Sequence, residues 1–352
     1  MRLVGSDVLK FGLSTLRTTR AHRVLGSGWR GLGAVFMLHR VVQEQVSPSQ
    51  FGPNRILEVT PDFLDAAIGR VRSLGYDIVD LDEMVRRLRH GGPGPFAVFT
   101  FDDGYRDNVD LALPVFEKRD APFAVYVASD LPDKTADLWW LTLEKSIRAL
   151  DHIELDIGGE TIAHAARTDK EMRGAWETVY WRLRDVSEDD ARHAVATLAQ
   201  CAGIDRYAAV GELAMDWDQV RQLDAHPLCT IGAHTAAHYA LAKLPLDRAR
   251  EDMLAGTARI EAELGKRPTH FAYPYGDEGS AASREFDLAS EQRFASAVTT
   301  RKGLLFNEHG NHLRALPRLS LNGDFQDVEL LEVLLGGAPF ALWNRFRRVN
   351  VA

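Results

Sequence analysis

Short apolar runs alternate along this chain with stretches of helical periodicity, and that alternation restricts the fold more than any other feature. The runs fall at residues 34–38, 78–81, 96–101, 123–127, 230–233, 271–273, 295–299 and 319–321. Between them lie segments such as 61–68, where Thr60 is a good N-cap and Pro61 suits the first helical turn. Strands separated by helices point to a parallel sheet with crossover connections. About eight such strands fit a closed or nearly closed α/β barrel better than an open sheet. A helical block from about 130 to 217 breaks the rhythm, and a connection of that length implies an insertion with structure of its own, lying over one barrel face. The expected organisation is therefore an N-terminal segment over 1–32, a barrel over 33–325 and a C-terminal helical segment over 326–352.

Composition narrows the function. The chain has 352 residues, 45% of them hydrophobic, and a formal charge of −8. Nucleic acid is excluded as the main ligand, since phosphate-backbone binding needs a concentrated basic surface. Cys201 and Cys229 lack metal-type spacing and are expected as buried thiols. No apolar stretch near the start suits a signal-peptide core or a membrane span, so the expected location is cytoplasmic. Both ends are nonetheless basic and amphipathic. Arg2, Lys10, Arg17, Arg20, Arg23 and Arg30 are interleaved with Leu9, Leu13, Leu16 and Leu25, and Trp343 and Phe346 stand beside Arg345, Arg347 and Arg348. Two solvated end helices are the plain interpretation; peripheral contact at the inner membrane face is the alternative.

In a barrel of this type reactive groups gather where strands end and loops begin. His39 follows one apolar run, Asp102 and Asp103 another, His234 a third, and the turn Tyr273-Pro274-Tyr275-Gly276 a fourth. His234 and His238, four apart, would share a metal ion if they lay on one helical turn, with a carboxylate from another strand end completing the set. Adjacent carboxylates at a strand end permit a division of labour in which one ligates the metal and its neighbour serves as a base.

Thr100-Phe101-Asp102-Asp103-Gly104, His234-Thr235-Ala236-Ala237-His238 and Ala272-Tyr273-Pro274-Tyr275-Gly276 resemble, in this order, the first three motifs of the polysaccharide deacetylase family, carbohydrate esterase family four. The resemblance implies a distorted barrel of about seven parallel strands and a metal-dependent hydrolase that removes N-acetyl groups from amino sugars. Carried over by position, it makes Asp103, His234 and His238 the metal ligands, Asp102 the general base and the Tyr275 backbone N–H an oxyanion donor. The family's general acid lies on a late Leu-x-His run that this chain lacks. Ala34-Val35-Phe36-Met37-Leu38-His39 has that character near the N-terminus, and first and last strands of a closed barrel are neighbours, so His39 is the expected acid and His312 the reserve. The arginine that usually opens the third motif is also missing, because Ala272 stands in its register. Arg318 is expected to supply the guanidinium from another strand.

The expected cofactor is a divalent cation, zinc by default for a His-His-Asp set, with cobalt, manganese or nickel as substitutes. The expected partner is an N-acetylated polysaccharide, oligosaccharide or lipid-linked precursor. Alternatives are a deformylase or other deacylase of a lipid-linked amino sugar, a non-catalytic carbohydrate-binding relative, and a non-haem iron oxygenase, for which Asp102 is superfluous. Trp139 and Trp140 are read as either a sugar platform or a cap on the insertion's core.

Overall fold

The computed structural model describes residues 6–20, 26 and 28–351. Of the basic N-terminal set, Arg2, Arg23 and Leu25 lie outside the described residues. Seven parallel strands close into a ring: β1 (Gly33–Leu38), β2 (Phe96–Phe101), β3 (Phe123–Val127), β4 (Cys229–Ala233), β5 (His270–Ala272), β6 (Ser296–Lys302) and β7 (Leu316–Ser320). Closure comes from β1, which pairs with β2 along its whole length on one side and with β7 on the other, aligning Met37 with both Thr100 and Ser320. First and last strands are therefore neighbours, and loops distant in sequence meet at one mouth.

The strands form because their residues are apolar on both faces, as a barrel wrapped in helices requires. One set, including Val35, Val98, Ala124, Tyr126, Ala272, Val298 and Leu316, packs with the helix Leu81–His90. The other, including Phe36, Phe99, Phe101, Phe123 and Phe271, packs beneath the surrounding helices. Each fully buried phenylalanine stabilises the fold by roughly 1.5–3 kcal/mol relative to exposure. Thr60 caps the helix Pro61–Ser73, its Oγ1 accepting from Phe63 N at 3.2 Å.

Three local expectations are corrected. The run at 78–81 is split: only Asp77–Ile78 is strand, and Asp80 caps a helix that already begins at Leu81. This short strand pairs with the start of β2 and lies outside the ring. The last strand starts earlier than its apolar run, at Leu316, and runs through Pro317. The inserted segment is not wholly helical. It contains an antiparallel hairpin, His152–Ile157 with Glu160–Ala165, turned at Gly158-Gly159 with positive φ at both glycines. Hairpin and helices bury a core of their own, including Leu143, Ile147, Ile153, Val179, Leu198 and Val210.

Candidate metal and catalytic site

Four strand ends converge at the barrel mouth. Val98, Thr100 and Asp102 share one face of the β2 path, so the parity that sends Val98 into the interior set also aims Asp102 inward. The Asp102 N–H donates to the Leu38 carbonyl at 3.0 Å, which brings the β1 end, and His39 with it, alongside the paired carboxylates. Asp103 has φ 75° and Gly104 φ 91°; this left-handed step turns Asp103 away from Asp102 and across the mouth.

There Asp103 Oδ1 lies 3.1 Å from His238 Nε2 and 3.4 Å from His234 Nε2. The two imidazole centroids are 4.9 Å apart. All three residues are buried, and one ligand atom from each lies within 4.8 Å of the others. The histidines do not lie on a helical turn, as their spacing suggested. The segment 234–238 is a loop in which Thr235 and His238 take φ of 64° and 56°, and it is this backbone that folds the imidazoles onto one centre. The loop is held from below by the helix Leu246–Leu264: Asp252 O accepts from Ala236 N and Asp252 Oδ1 from Ala237 N. Gly256 permits the approach, since a Cβ there would sit 2.3 Å from both the Thr235 carbonyl carbon and oxygen.

These groups fit a metal ion. His234 Nδ1 is 2.7 Å from the Ala272 carbonyl, which assigns the proton to Nδ1 and leaves the Nε2 lone pair facing Asp103. Burial pushes the His238 imidazole down, outweighing the upward pull of Asp103, so it is neutral at pH 7. Asp103 Oδ1 is buried and accepts no hydrogen bond. Lone pairs from two imidazoles and a carboxylate facing one point, unbridged by protons, are costly unless a cation joins them.

Asp102 is held separately. Arg318, fully buried on β7, donates to Asp102 Oδ1 at 2.7 Å and Oδ2 at 2.6 Å, and its Nε donates to the Thr299 carbonyl at 2.8 Å. Burial pushes the Asp102 carboxyl up, but Arg318 outweighs it and, with His234 and His39, holds it below the usual carboxylate range. Asp103 is likewise raised by burial but drawn well below that range by His238 and His234.

Of the other expected residues, His39 is half-buried at the mouth, where its imidazole acts electrostatically on both carboxylates; its carbonyl accepts from Asn108 Nδ2 at 2.9 Å. Tyr275 stands beside His238, ring centroids 4.9 Å apart, with φ 60° at its backbone. Its hydroxyl accepts from Trp139 Nε1 at 2.6 Å, and Trp140 packs 4.9 Å from the His238 ring. Trp139 and Trp140 are both buried in the insertion's core. His312 is not brought to the site. It is exposed, it precedes β7, and it adjoins the turn Asn307–Asn311 whose Gly310 lies against Leu88, at the opposite end of the barrel.

Sequence reasoning missed the supports. Arg192, from the helix Glu188–Ala202, donates to the Ala237 and His238 carbonyls at 3.2 and 3.3 Å and to Asp137 at 2.7 Å. Arg184 lies 3.8 Å over the Tyr275 ring and pairs with Asp277 at 2.9 Å. Asp107 accepts from Arg40 and from Val41 N, both at 3.0 Å, fixing the chain just after His39. No local pattern announces these residues, because each acts through a tertiary contact.

The polysaccharide deacetylase family model matches residues 175–289, a span that contains both His234-Thr235-Ala236-Ala237-His238 and the Tyr275 turn. Over that stretch, about a third of its length, the chain is similar to the polysaccharide deacetylases. The matched stretch omits the two aspartates, which stand before the insertion and reach the histidines only through the fold. No curated protein matches the chain. Among solved structures, the deacetylase PplD of Streptococcus pyogenes, in complex with acetate, is 16% identical over 86% of this chain and 97% of its own, with a TM-score of 0.55. IcaB from Ammonifex degensii is 20% identical over 86% and 97%, at 0.52. A de-N-acetylase from Aggregatibacter actinomycetemcomitans is 14% identical over 86% and 99%, at 0.55. These likenesses show that this chain shares their fold.

Proposed function

We propose that this protein removes N-acetyl groups from an amino sugar of a polysaccharide, oligosaccharide or lipid-linked precursor, in a reaction that depends on a divalent cation held by Asp103, His234 and His238. The observation that carries the proposal is the separation of the two adjacent aspartates: Asp103 Oδ1 faces two imidazole Nε2 atoms, while Asp102 is clamped on both oxygens by Arg318. The similar structures described as a deacetylase and a de-N-acetylase support the reaction class.

A divalent cation, zinc by default, supplies polarisation of the amide carbonyl and a water of lowered pKa. Asp102 accepts the proton of the attacking water; Arg318 keeps it ionised and fixes its direction. The Tyr275 N–H, in a left-handed turn whose side chain stands beside His238, donates to the oxyanion. His39 donates the proton that lets the sugar amine leave. Burial, with Glu188 adding to it, raises the Tyr275 phenol above its ordinary value, and burial with Asp103 does the same to Tyr105. Both stay protonated and do not compete as bases.

The test is a screen of N-acylated amino sugars and polyprenyl-linked saccharides with zinc- or cobalt-loaded protein, read by mass spectrometry. Loss of one acetyl mass is expected; loss of a formyl mass selects the deformylase alternative. Saccharide binding without any acyl loss would overturn the proposal in favour of a carbohydrate-binding relative.

A further inference from the structure

We propose that the face formed where the two ends of the chain meet docks on an anionic lipid bilayer, with Leu342 and Phe346 entering the acyl layer and Arg345 and Arg347 contacting lipid phosphates. Docking is independent of what the catalytic site hydrolyses.

The two basic, amphipathic ends converge in space. The helix Ser6–Thr18 buries Leu13 against Leu330 and Val333 of the helix Leu330–Leu335. Trp29 meets Phe346 edge-on, ring centroids 5.9 Å apart, and Arg348 lies 5.8 Å over the Trp29 ring while donating to the Gly28 carbonyl at 3.1 Å. Leu342 and Phe346 are the most exposed large apolar side chains among the described residues, at 61% and 65%. They flank the end of the helix Ala338–Trp343, Leu342 within its last turn and Phe346 three residues beyond it.

Charge selects the occupant. From residue 338 onward the chain has three arginines and no Asp or Glu, although the whole protein carries −8. Arg345 and Arg347 are exposed and form no ion pair among the described residues. The nearby carboxylates are engaged: Glu308 with Arg348 at 3.3 Å, and Asp327 with Arg17 at 2.9 Å. An exposed Leu–Phe pair set among unpaired arginines is complementary to a negatively charged interface rather than to water or neutral lipid.

Beside this face opens an apolar cleft of about 140 Å³, lined by Leu13, Phe325, Leu330, Leu334, Phe340 and Trp343. Lys302 Nζ stands 3.9 Å over the Trp343 ring at the same cleft. An apolar space of this order receives hydrocarbon readily. The described helices include none long and apolar enough to cross a membrane, so the contact is peripheral.

The experiment is flotation of the full chain with phosphatidylglycerol–phosphatidylcholine vesicles and with phosphatidylcholine alone. Binding is expected only to the anionic vesicles. The pair Leu342→Ala/Phe346→Ala, and separately Arg345→Glu/Arg347→Glu, should each lower partition about tenfold or more, and raised salt should weaken wild-type binding. These side chains are exposed, so melting temperatures should match wild type and show that lost binding is not lost folding. Absence of flotation with anionic vesicles, or unchanged partition of both variants, overturns the proposal. So does sedimentation showing a dimer that Leu342→Ala/Phe346→Ala dissociates while wild type ignores vesicles, since the face then joins two copies of this chain.

Discussion

Replacing Arg318 with alanine removes the guanidinium bonded to both oxygens of the buried Asp102. Two charge-assisted hydrogen bonds, at 2.6 and 2.7 Å, disappear together, and Asp102 remains in a site where burial opposes its ionised form. Breaking one partner of such a buried pair costs about 3–5 kcal/mol. With an unfolding entropy of about 2.1 cal/mol/K per residue over 352 residues, the denominator is about 740 cal/mol/K, so the melting temperature should fall by about 4–7 °C. Turnover should fall further than stability, by about 100-fold or more, because the base loses both its orientation and its counter-charge. Arg318→Lys restores a charge but not the two-pronged geometry and should recover stability better than activity. The assay is calorimetry beside initial-rate kinetics on the substrate found by the acyl-loss screen. An Arg318→Ala protein that melts within a degree of wild type and turns over normally would refute the argument.

Other expectations concern the supports of the site. Arg192→Ala should weaken metal binding about 10–100-fold while the fold persists, because the His238 carbonyl loses its anchor; competition with a chromogenic chelator measures this, and equal affinities would count against the role. Gly256→Ala places a Cβ 2.3 Å from the Thr235 carbonyl, so the loop 234–238 must shift; a change in the visible spectrum of the cobalt form is expected, and an unaltered spectrum would show that the helix yields instead. Asp107 is raised by burial to about 6, against the lowering by Arg40. Its folded pKa exceeds the unfolded value, so its ionisation costs stability above that pKa, and stability from this group is regained as pH falls from about 7 to about 4. Because one pKa unit is about 1.4 kcal/mol, the gain is roughly 2–3 kcal/mol. Denaturant melts of wild type against Asp107→Asn should show the increment only in wild type.

How far the sequence revealed this protein depends on which contacts are local. Strand β2 was legible because six consecutive buried residues ending in a charged turn admit few other structures. Barrel closure made sense of His39 and Arg318, since β1 lies between β2 and β7 and the early and late strands share a mouth. The hairpin at 152–165 carried a readable signal, alternating burial and a Gly-Gly turn, but the helical patterns on either side masked it. The geometry of 234–238 was not legible. Helical spacing and a left-handed loop place residues four apart equally close, and only packing on Asp252 and Gly256 decides between them. Arg184 and Arg192 escaped notice because a stacked or carbonyl-bound arginine looks, in one dimension, like any arginine on a solvated helix.

Metal stoichiometry and affinity across four variants test the central claim most directly. Wild type should bind one divalent ion per chain; Asp103→Ala, His234→Ala and His238→Ala should each lose it, while Asp102→Asn keeps it with affinity within about threefold and loses turnover. Loss of the ion from Asp102→Asn to the same degree as from Asp103→Ala would contradict the separate roles of the two aspartates.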